Sequence, residues 1–390
     1  MTNNDWHIYV RDSNGLRQGE IDDYTSAEFI PVFNDIGTWS LSVSADSLQT
    51  PNLMLPGWGI IAMRDQDVIM SGPVNTKQFD VDTNTDTVTF NGVDDNVWLQ
   101  RKLAHPIPTD PSPPYTAQAQ DTRTGIASTI LRQYVNVNLG PGALTQRQLS
   151  SLVLGADPIV GPTITGNAQW DILLVFLQTL ATNAGIGFQL IQNGNDIEFD
   201  TFLPVDRSGT VKFSVGLGNL QAFSYSSTAP TATYVFVGGD GDGTAKTIIE
   251  MSDPDGIATW GRIEGELVSS SGDNVTNSPG QMTTDGQEAL TNGAEVASLS
   301  ITPIDTQFQK YKQDYFLGDK VTINLGKQIR TPYGITGVIV DTIQSVDIKL
   351  DSGAGAITTP IIASAPTKTF KTIWKDFRVI RKRLGNLERH

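Results

Sequence analysis

Short runs of alternating apolar and polar residues dominate the chain and predict a mainly β protein. A period of two places one set of side chains on one face of a strand, where it can be buried. Two such runs in the first hundred residues put these apolar residues on one face: Trp6, Ile8 and Val10, then Trp39, Leu41 and Val43. A turn at Asn14-Gly15 follows the first run. We therefore expect an all-β segment at the start of the chain.

The stretch 311–353 carries the most regular β pattern. Three runs follow one another there, with these apolar residues in alternation: Val321, Ile323 and Leu325, then Val338 and Val340, then Val346, Ile348 and Leu350. Short polar breaks separate the runs. Consecutive strands of this kind form a meander, and meanders close into sandwiches or small barrels.

The middle of the chain changes to the 3.6-residue period of helices. Residues 121–134 are expected to form one helix. A second is expected to start after Thr165-Gly166-Asn167, with a buried face that extends from Trp170 to Ala184. Gly185 stands where a helix-ending glycine is expected. An Asn193-Gly194 turn then predicts a β-hairpin. A further helix is expected over residues 285–297.

The last 23 residues carry a heptad pattern that predicts an amphipathic helix. Its apolar positions are spaced 3, 4, 3, 4, 3 and comprise Phe370, Ile373, Phe377, Ile380, Leu384 and Leu387. Such a seam suits self-association on a symmetry axis or docking on a neighbouring protein. Docking of the helix on the body of its own chain is the alternative.

These patterns divide the chain into six segments. The fold class is mainly β with an α+β insert, in which two β-barrel-like domains flank a mixed domain and a C-terminal amphipathic helix follows. The predicted segments are 1–104 (first barrel), 105–115 (a linker with five prolines), 116–211 (α+β insert), 212–352 (second barrel), 353–367 (linker) and 368–390 (helix).

Composition narrows the classes of function. The chain has no cysteine, which excludes a disulfide framework and zinc–thiolate sites and fits assembly in a reducing cytoplasm. A net charge of −15 opposes binding to nucleic acid, although residues 368–390 are basic. The polar start indicates no secretory signal, and the longest apolar run, 172–177, is too short for a membrane span.

Few residues suggest chemistry. The three histidines lie far apart and match no metal motif, and no P-loop, dinucleotide fingerprint or nucleophile elbow is present. The loop GGDGDG offers Asp240 and Asp242 as oxygen ligands for Ca²⁺, but a plain hairpin loop explains it as well, because the EF-hand pattern is absent. No pair of acids stands out for glycoside hydrolysis. We therefore expect no enzyme activity and no cofactor.

Two β patterns carry a resemblance to a known family. The segment LPGWGIIAMRDQDVIMSGPV (residues 55–74) and the segment LGDKVTINL with the following GVIV (317–325 and 337–340) resemble the hub proteins at the tail tip of long-tailed phages, which are similar to tail-associated lysins. The order of segments is also similar, with a mixed domain between two barrels. Some members carry a further lysin or peptidase domain. The resemblance here is to a hub without one.

The resemblance implies a structural virion protein. Three copies would form a hub that closes the distal end of the tail tube, with six similar barrels facing a hexameric distal tail ring. Further implied partners are the tape measure protein and the fibres or spike below. The implied location is the virion tail tip, with roles in host attachment and DNA ejection.

Two other classes of function remain open from the sequence. A carbohydrate-binding β protein of a virion or secreted system would bind sugar as a monomer. A β-rich glycosidase would depend on two particular acidic residues.

Overall fold

The computed structural model describes most of the chain and confirms a mainly β architecture. It describes residues 5–81, 86–239, 241, 243–270, 279–303, 306, 309–331, 334–352 and 355–362. No helix in these ranges is long and apolar enough to cross a membrane. The predicted C-terminal helix over 368–390 lies outside the described residues, so it stays a prediction.

Strands outnumber helices along the described chain. The strands are β1 Trp6–Arg11, β2 Arg17–Ile21, β3 Ser26–Ile30, β4 Thr38–Ser44, β5 Gly59–Arg64, β6 Asp67–Val81, β7 Asp86–Val93, β8 Leu103–Ala104, β9 Asp121–Ile126, β10 Leu152–Leu154, β11 Thr163–Ala168, β12 Asp171–Ile172, β13 Gly187–Asn193, β14 Asp196–Phe202, β15 Lys212–Ser214, β16 Leu220–Thr228, β17 Tyr234–Gly238, β18 Ile248–Ser252, β19 Val268–Ser269, β20 Val296–Pro303, β21 Lys320–Thr331, β22 Gly334–Asp351 and β23 Gly355–Ile362. The helices are α1 Thr50–Leu53, α2 Val97–Gln100, α3 Ala127–Asn138, α4 Leu173–Ala184, α5 Pro254–Trp260 and α6 Pro279–Gly293. Short 3-10 turns cover Thr145–Arg147, Val215–Leu217 and Gly243–Ala245.

The chain forms two compact units. Of the described residues, the first unit contains those within 1–222, 301–326 and 338–362, and the second contains those within 223–300 and 327–337. The segment limits drawn from the sequence stay predictions as domain boundaries.

An eleven-stranded sheet is the main feature of the first unit. Its strand order is β15-β21-β22-β3-β4-β7-β6-β5-β1-β2, and β23 pairs with β22 off this path. The expectation was two barrel-like domains. A closed barrel requires pairing between the first and last strands of the path, and among the described residues β15 and β2 do not pair with each other. The observed sheet is therefore open.

Pairing between distant parts of the chain builds this sheet. Strand β22 pairs antiparallel with β3, with Ile348 opposite Phe29 and Leu350 opposite Ala27. All four side chains are buried. The stretch 311–353, predicted as three strands of a meander, contributes two strands, β21 and β22, because its second and third runs are continuous in β22. The same sheet also contains the strands predicted near the start of the chain.

The mixed segment has its own core beside the sheet. Helices α3 and α4 pack on the β13–β14 hairpin around Leu131, Tyr134, Leu177 and Phe199. The predicted end of α4 is confirmed, because Gly185 follows Ala184 with a left-handed φ of 66°. The predicted hairpin is confirmed too. Strands β13 and β14 meet at the Asn193–Asp196 pair across the turn.

Residues 121–126 form strand β9 where the sequence predicted the start of a helix. β9 pairs antiparallel with β11. Threonine is stiff at χ1 and suits cross-strand pairs, and two such pairs form here: Thr122 Oγ1 donates to Asn167 Oδ1 at 2.9 Å, and the hydroxyls of Thr124 and Thr165 lie 2.8 Å apart. The helix begins only at Ala127.

Trp170 lies outside helix α4, although it was predicted on the helix's buried face. Asp171 and Ile172 pair with β8 and keep the backbone extended up to Leu173. Trp170 has a left-handed φ of 62° and is 43% exposed. Helix α4 therefore starts at Leu173, three residues after the first position of its predicted buried face.

Residues 355–362 form strand β23 where the composition predicted a linker. β23 pairs antiparallel with β22 from Ile343–Ile362 to Asp351–Gly355. Its threonines and isoleucines favour a strand. Pro360 is tolerated because β23 lies at an edge, where a missing N–H donor costs little. The glycines and other small residues around this strand are the reason that the composition predicted a linker.

The second unit is a small α+β structure. Strand β17 lies between β18 and β19, and helix α6 packs Met282 and Leu290 against Val235 and Val237. The helix was predicted over 285–297. It starts earlier, at Pro279, and ends at Gly293, because strand β20 begins at Val296.

Candidate functional site

The residues singled out from the sequence as candidate sites lie outside the described part of the chain. These are Asp240 and Asp242, proposed as Ca²⁺ ligands, and the heptad positions Phe370, Ile373, Phe377, Ile380, Leu384 and Leu387. They stay predictions. Among the described residues, no group of three or more His, Asp or Glu side chains is arranged to hold a metal ion.

A buried charge network lies where the sheet meets the mixed segment in the first unit. Arg11, at the end of β1, forms a bidentate ion pair with the Asp95 carboxylate. Its Nη1 donates to Oδ2 at 2.8 Å, and its Nη2 donates to Oδ1 at 2.5 Å. The two side chains are 4% and 0% exposed. Asp95 also accepts hydrogen bonds from Ser71 Oγ at 2.6 Å and Trp98 Nε1 at 3.1 Å. The carboxylate is thus fully satisfied without water.

Gln192 extends this network into the hairpin. Arg11 Nη1 donates to Gln192 Oε1 at 2.6 Å, and Gln192 Nε2 donates to the Gly15 carbonyl at 2.6 Å. Gln192 is 2% exposed and lies on β13. One guanidinium therefore connects the N-terminal strand, the segment after β7 and the hairpin of the mixed segment.

Three side chains occupy the free edge of β13. The alternate N–H groups of Phe188, Leu190 and Gln192 point away from β14, and each donates to a side-chain oxygen. The acceptors are Asn34 Oδ1 at 2.7 Å, Asn96 Oδ1 at 2.8 Å and Ser71 Oγ at 2.8 Å. These acceptors stand where a neighbouring strand would otherwise supply carbonyls. We call Asn34, Ser71 and Asn96 the acceptor row.

Asn34 also fixes helix α4. Its amide Nδ2 donates to the Ile186 carbonyl at 2.9 Å, and its own carbonyl accepts from Gln178 Nε2 at 2.9 Å. Asn34 adopts a left-handed φ of 54°, which asparagine tolerates better than most residues. The acceptor row thus determines the position of both the hairpin and the helix behind it.

Sequence patterns do not predict this network. Two adjacent acids, Asp94-Asp95, are typical of a turn, and the backbone does turn there before α2. Arg11 lies on the face of β1 that carries the half-buried His7 and Tyr9. Its burial depends on a hairpin that is some 180 residues away in the chain. A local sequence pattern cannot indicate a contact between residues so far apart in the chain.

A small cavity adjoins the acceptor row. It has a volume of about 30 Å³, and its lining includes Asn34, Asp94, Asn96 and Tyr311. Burial raises the pKa of the Asp94 carboxyl well above its usual range, against the opposing hydrogen bond from the Gly37 N–H. The hydroxyl of Tyr311 is buried without a hydrogen-bond partner. A polar cavity of this size has room for a water molecule.

Strand β14 carries a second perturbed carboxyl. Burial, then the charge of Glu198 two residues away, raises the pKa of Asp200 to about 6. The nearby charges of Arg132 and Lys312 act in the opposite direction. Asp200 is therefore partly protonated near neutral pH, which makes the stability of the hairpin sensitive to pH.

The outer half of β6 is an open sheet edge. β5 pairs with β6 only up to Pro73, and from Val74 onward β6 pairs with β7 on its other side. Within the described residues, no strand pairs with the remaining edge of residues 75–80. All six side chains are exposed, including Phe79 at 56%. Open edges of this kind are templates for pairing with another chain.

Strand β23 forms another open edge of the same sheet. Among the described residues it pairs only with β22. Ile357 and Ile361 point to the same face and are 51% and 39% exposed. The first unit thus exposes apolar side chains along two strand edges.

Comparison with known proteins gives a family and a fold. Residues 7–362 match the family model described as Siphovirus ReqiPepy6 Gp37-like protein. The resemblance to a protein family of long-tailed phage tails is therefore confirmed. Among curated proteins, none matches this sequence.

Three crystal structures show the same fold. A 43 kDa tail protein of prophage MuSo2 from Shewanella oneidensis is 12% identical, with a TM-score of 0.56 over 93% of this chain and 98% of that one. A tail protein from Neisseria meningitidis is 12% identical, with a TM-score of 0.52 over 92% and 96%. A prophage tail protein from Listeria monocytogenes is 11% identical, with a TM-score of 0.50 over 96% and 99%. The chain has the fold of phage tail proteins.

Removal of the Arg11 charge tests the buried network. Arg11→Met leaves the Asp95 carboxylate buried without its partner, so we expect the free energy of unfolding to fall by about 3–5 kcal/mol. Lys349→Met is the matched control, because Lys349 is 57% exposed and pairs with Glu28 and Asp347 at the surface. Its expected loss is about 0–1 kcal/mol. Urea denaturation followed by tryptophan fluorescence measures both, and equal losses would contradict the assignment.

Asp200→Asn tests the perturbed carboxyl. The folded pKa of about 6 lies above the usual value near 3.9, so the folded state binds the proton more tightly and loses stability as pH rises from about 4 to above 6. The variant should therefore be more stable than wild type at pH 8, by on the order of 1 kcal/mol after solvent screening, and the gain should shrink at pH 5. Asp46→Asn, on an exposed turn, is the control. Thermal melts at both pH values measure the effect, and a gain that grows towards pH 5 would contradict it.

Proposed function

The chain belongs to the Siphovirus ReqiPepy6 Gp37-like protein family, and from that premise we propose that it is a hub of the siphovirus tail tip. In this proposal three copies close the distal end of the tail tube. The fold shared with phage tail proteins supports a structural role. The open edges of the main sheet are the observation that carries the proposal of self-assembly.

Open edges fit a ring better than a monomer. A monomeric β protein usually covers its edges or protects them with charge. Residues 75–80 of β6 hold one lysine and one aspartate, but Phe79 is exposed beside them. Pairing with a neighbouring copy would satisfy the unpaired N–H and C=O groups and cover Phe79. Closed rings result when the same two surfaces meet around a rotation axis.

The charge of the chain fits a conduit for DNA. A net charge of −15 repels the phosphate backbone, so DNA would pass a ring of such chains without adhering. This supports a part in DNA ejection. It also argues against sequence-specific binding of nucleic acid.

The C-terminal heptads supply the proposed three-fold contact. Phe370, Phe377 and Leu384 fall at one seam position, and Ile373, Ile380 and Leu387 fall at the other. In our proposal these six residues pack around the axis of the trimer. The alternative within the proposal is that they bind the next protein of the tail tip.

The remaining partners follow from a hub position. In this proposal the β-rich segments 1–104 and 212–352 of each copy would face a hexameric ring of distal tail protein, with the α+β segment 116–211 between them in the sequence. The tape measure protein would lie above the closed hub, and fibres or a spike would bind below it. Assembly would take place in the host cytoplasm, without enzymatic activity or a cofactor.

The solution mass of the chain tests this proposal. We expect a trimer by light scattering, and a monomer after truncation at Thr367. Phe377→Asp, at a seam position, should dissociate the trimer. Lys382→Asp is the matched control, because it places the same charge on the outward face of the same predicted helix.

The outcomes separate the parts of the proposal. If the trimer survives both truncation and Phe377→Asp, the helix would bind a tail partner instead. The sheet edges would then hold the three copies together. A monomer for the full chain at all concentrations tested would contradict self-assembly into a hub.

A further inference from the structure

An aromatic cluster lies beside strand β8 in the first unit. The rings of His105 and Trp170 are 4.2 Å apart between centroids, those of His105 and Tyr115 are 4.7 Å apart, and those of Tyr115 and Trp170 are 5.7 Å apart. All three pairs meet edge to face. His105 is buried, Tyr115 is half-buried and Trp170 is exposed. The cluster therefore forms a supported platform whose outermost ring is an indole.

The backbone holds two of these rings in a costly conformation. Tyr115 and Trp170 have left-handed φ values of 52° and 62°. Bulky residues rarely adopt this region, and such strain concentrates at ligand clamps and active sites. The N–H of Trp170 donates to the Ala104 carbonyl at 2.9 Å, which fixes the residue against β8. Packing alone would favour burial of this tryptophan, yet the fold presents it to solvent.

Arg147 lies next to the platform, and Lys102 directly precedes β8. Arg147 Nη2 donates to the Leu103 carbonyl at 2.6 Å, while its Nη1 is buried without a hydrogen-bond partner. Among the described residues, neither Arg147 nor Lys102 forms an ion pair. Each pKa is lowered, that of Arg147 mainly by burial and that of Lys102 by burial and then by the charge of Arg147. Unpaired neighbouring cations are unusual in a chain of net charge −15.

His105 joins the cations to the platform. Its Nδ1 accepts a hydrogen bond from the Ile107 N–H at 2.9 Å, so the proton of the neutral ring is on Nε2. Burial, then the charge of Arg147, lowers the pKa of His105. The ring is therefore neutral at pH 7 and packs as an aromatic surface. Arg147 is close enough to act on both His105 and Tyr115.

We propose that Trp170 and Tyr115, together with Arg147 and Lys102, form a binding site for an anionic saccharide. The apolar C–H face of a sugar ring packs on an exposed indole, which offers a large flat area at low entropic cost. A carboxylate or phosphate on the sugar would pair with the guanidinium and the ammonium.

Two rings and two cations suit a small ligand better than an acidic protein or a nucleic acid. A protein interface of standard size buries about 800 Å² on each partner, far more than two rings and two cations offer. Nucleic acid binding needs several phosphate contacts along a basic surface, and the acidic chain opposes it. The site does not depend on the hub role. It would add recognition of a surface glycan to a structural protein.

Titration with small saccharides tests the proposal. The probes are trigalacturonate, which carries carboxylates, mannose 6-phosphate, which carries a phosphate, and neutral maltotriose. Saturation-transfer NMR on the full chain gives the Kd of each. We expect at least one anionic probe to bind with a Kd below about 10 mM, more tightly than maltotriose and more weakly as salt is added.

Two matched substitutions assign the binding to this cluster. Trp170→Ala should raise the Kd of the bound probe about tenfold or more, as loss of a stacking ring does elsewhere. Trp260→Ala should leave it unchanged, because Trp260 is similarly exposed at 37% but lies in the second unit. Lys102→Gln should remove the preference for the anionic probe over maltotriose. Among the described residues, the Lys102 side chain makes no hydrogen bond, so the Lys102→Gln variant should fold and tests the site even if the Trp170→Ala variant unfolds.

Any one of three results would contradict the proposal. The first is that neither anionic probe shows saturation transfer to the full chain. The second is that Trp170→Ala and Trp260→Ala weaken binding equally. The third is that Lys102→Gln leaves the preference for the anionic probe intact. The choice between trigalacturonate and mannose 6-phosphate tells which anion the cations prefer.

Discussion

The contact between Arg11 and Asp95 is the constraint on which the rest of the first unit depends. Both groups are buried, and a buried ion pair adds little net stability when compared with a well-packed apolar pair. Its importance is geometric. A planar guanidinium and a carboxylate accept only a narrow range of relative positions, so β1, the segment after β7 and strand β13 must meet in one arrangement. Misplacement by one residue would leave two charges buried without partners.

The acceptor row extends this constraint along the hairpin. Asn34, Ser71 and Asn96 satisfy alternate N–H groups of β13, which would otherwise be a buried strand edge with unpaired donors. These side-chain oxygens satisfy the edge of the β10-β14-β13 sheet, so no further strand is needed beside β13. By contrast, the edges at residues 75–80 and at β23 have no such cover among the described residues. The same fold thus closes one edge inside the unit and leaves others available for assembly.

Sequence patterns identified what is local. Alternation located β1, β4 and the extended residues within 311–353, although it divided β22 into two strands. The Asn193-Gly194 turn and Gly185 located the hairpin and the end of α4. They failed where distant pairing overrides periodicity. Strand β9 replaced a predicted helical turn because β11 pairs with it, and Trp170 left its predicted helix because β8 holds the next two residues extended. The buried network and the aromatic platform could not be predicted, since each joins residues from separate parts of the chain through tertiary contact alone.

Amide hydrogen exchange at β13 tests this account most directly. If the acceptor row and the Arg11–Asp95 contact fix the hairpin, the N–H groups of Phe188, Leu190 and Gln192 exchange only by global unfolding, as slowly as those of Leu41 and Phe90 in the centre of the sheet. Asn96→Ala should then release Leu190 more than Phe188 or Gln192. Exchange of all three at the rate of an exposed strand edge would contradict the claim that side chains substitute for a neighbouring strand.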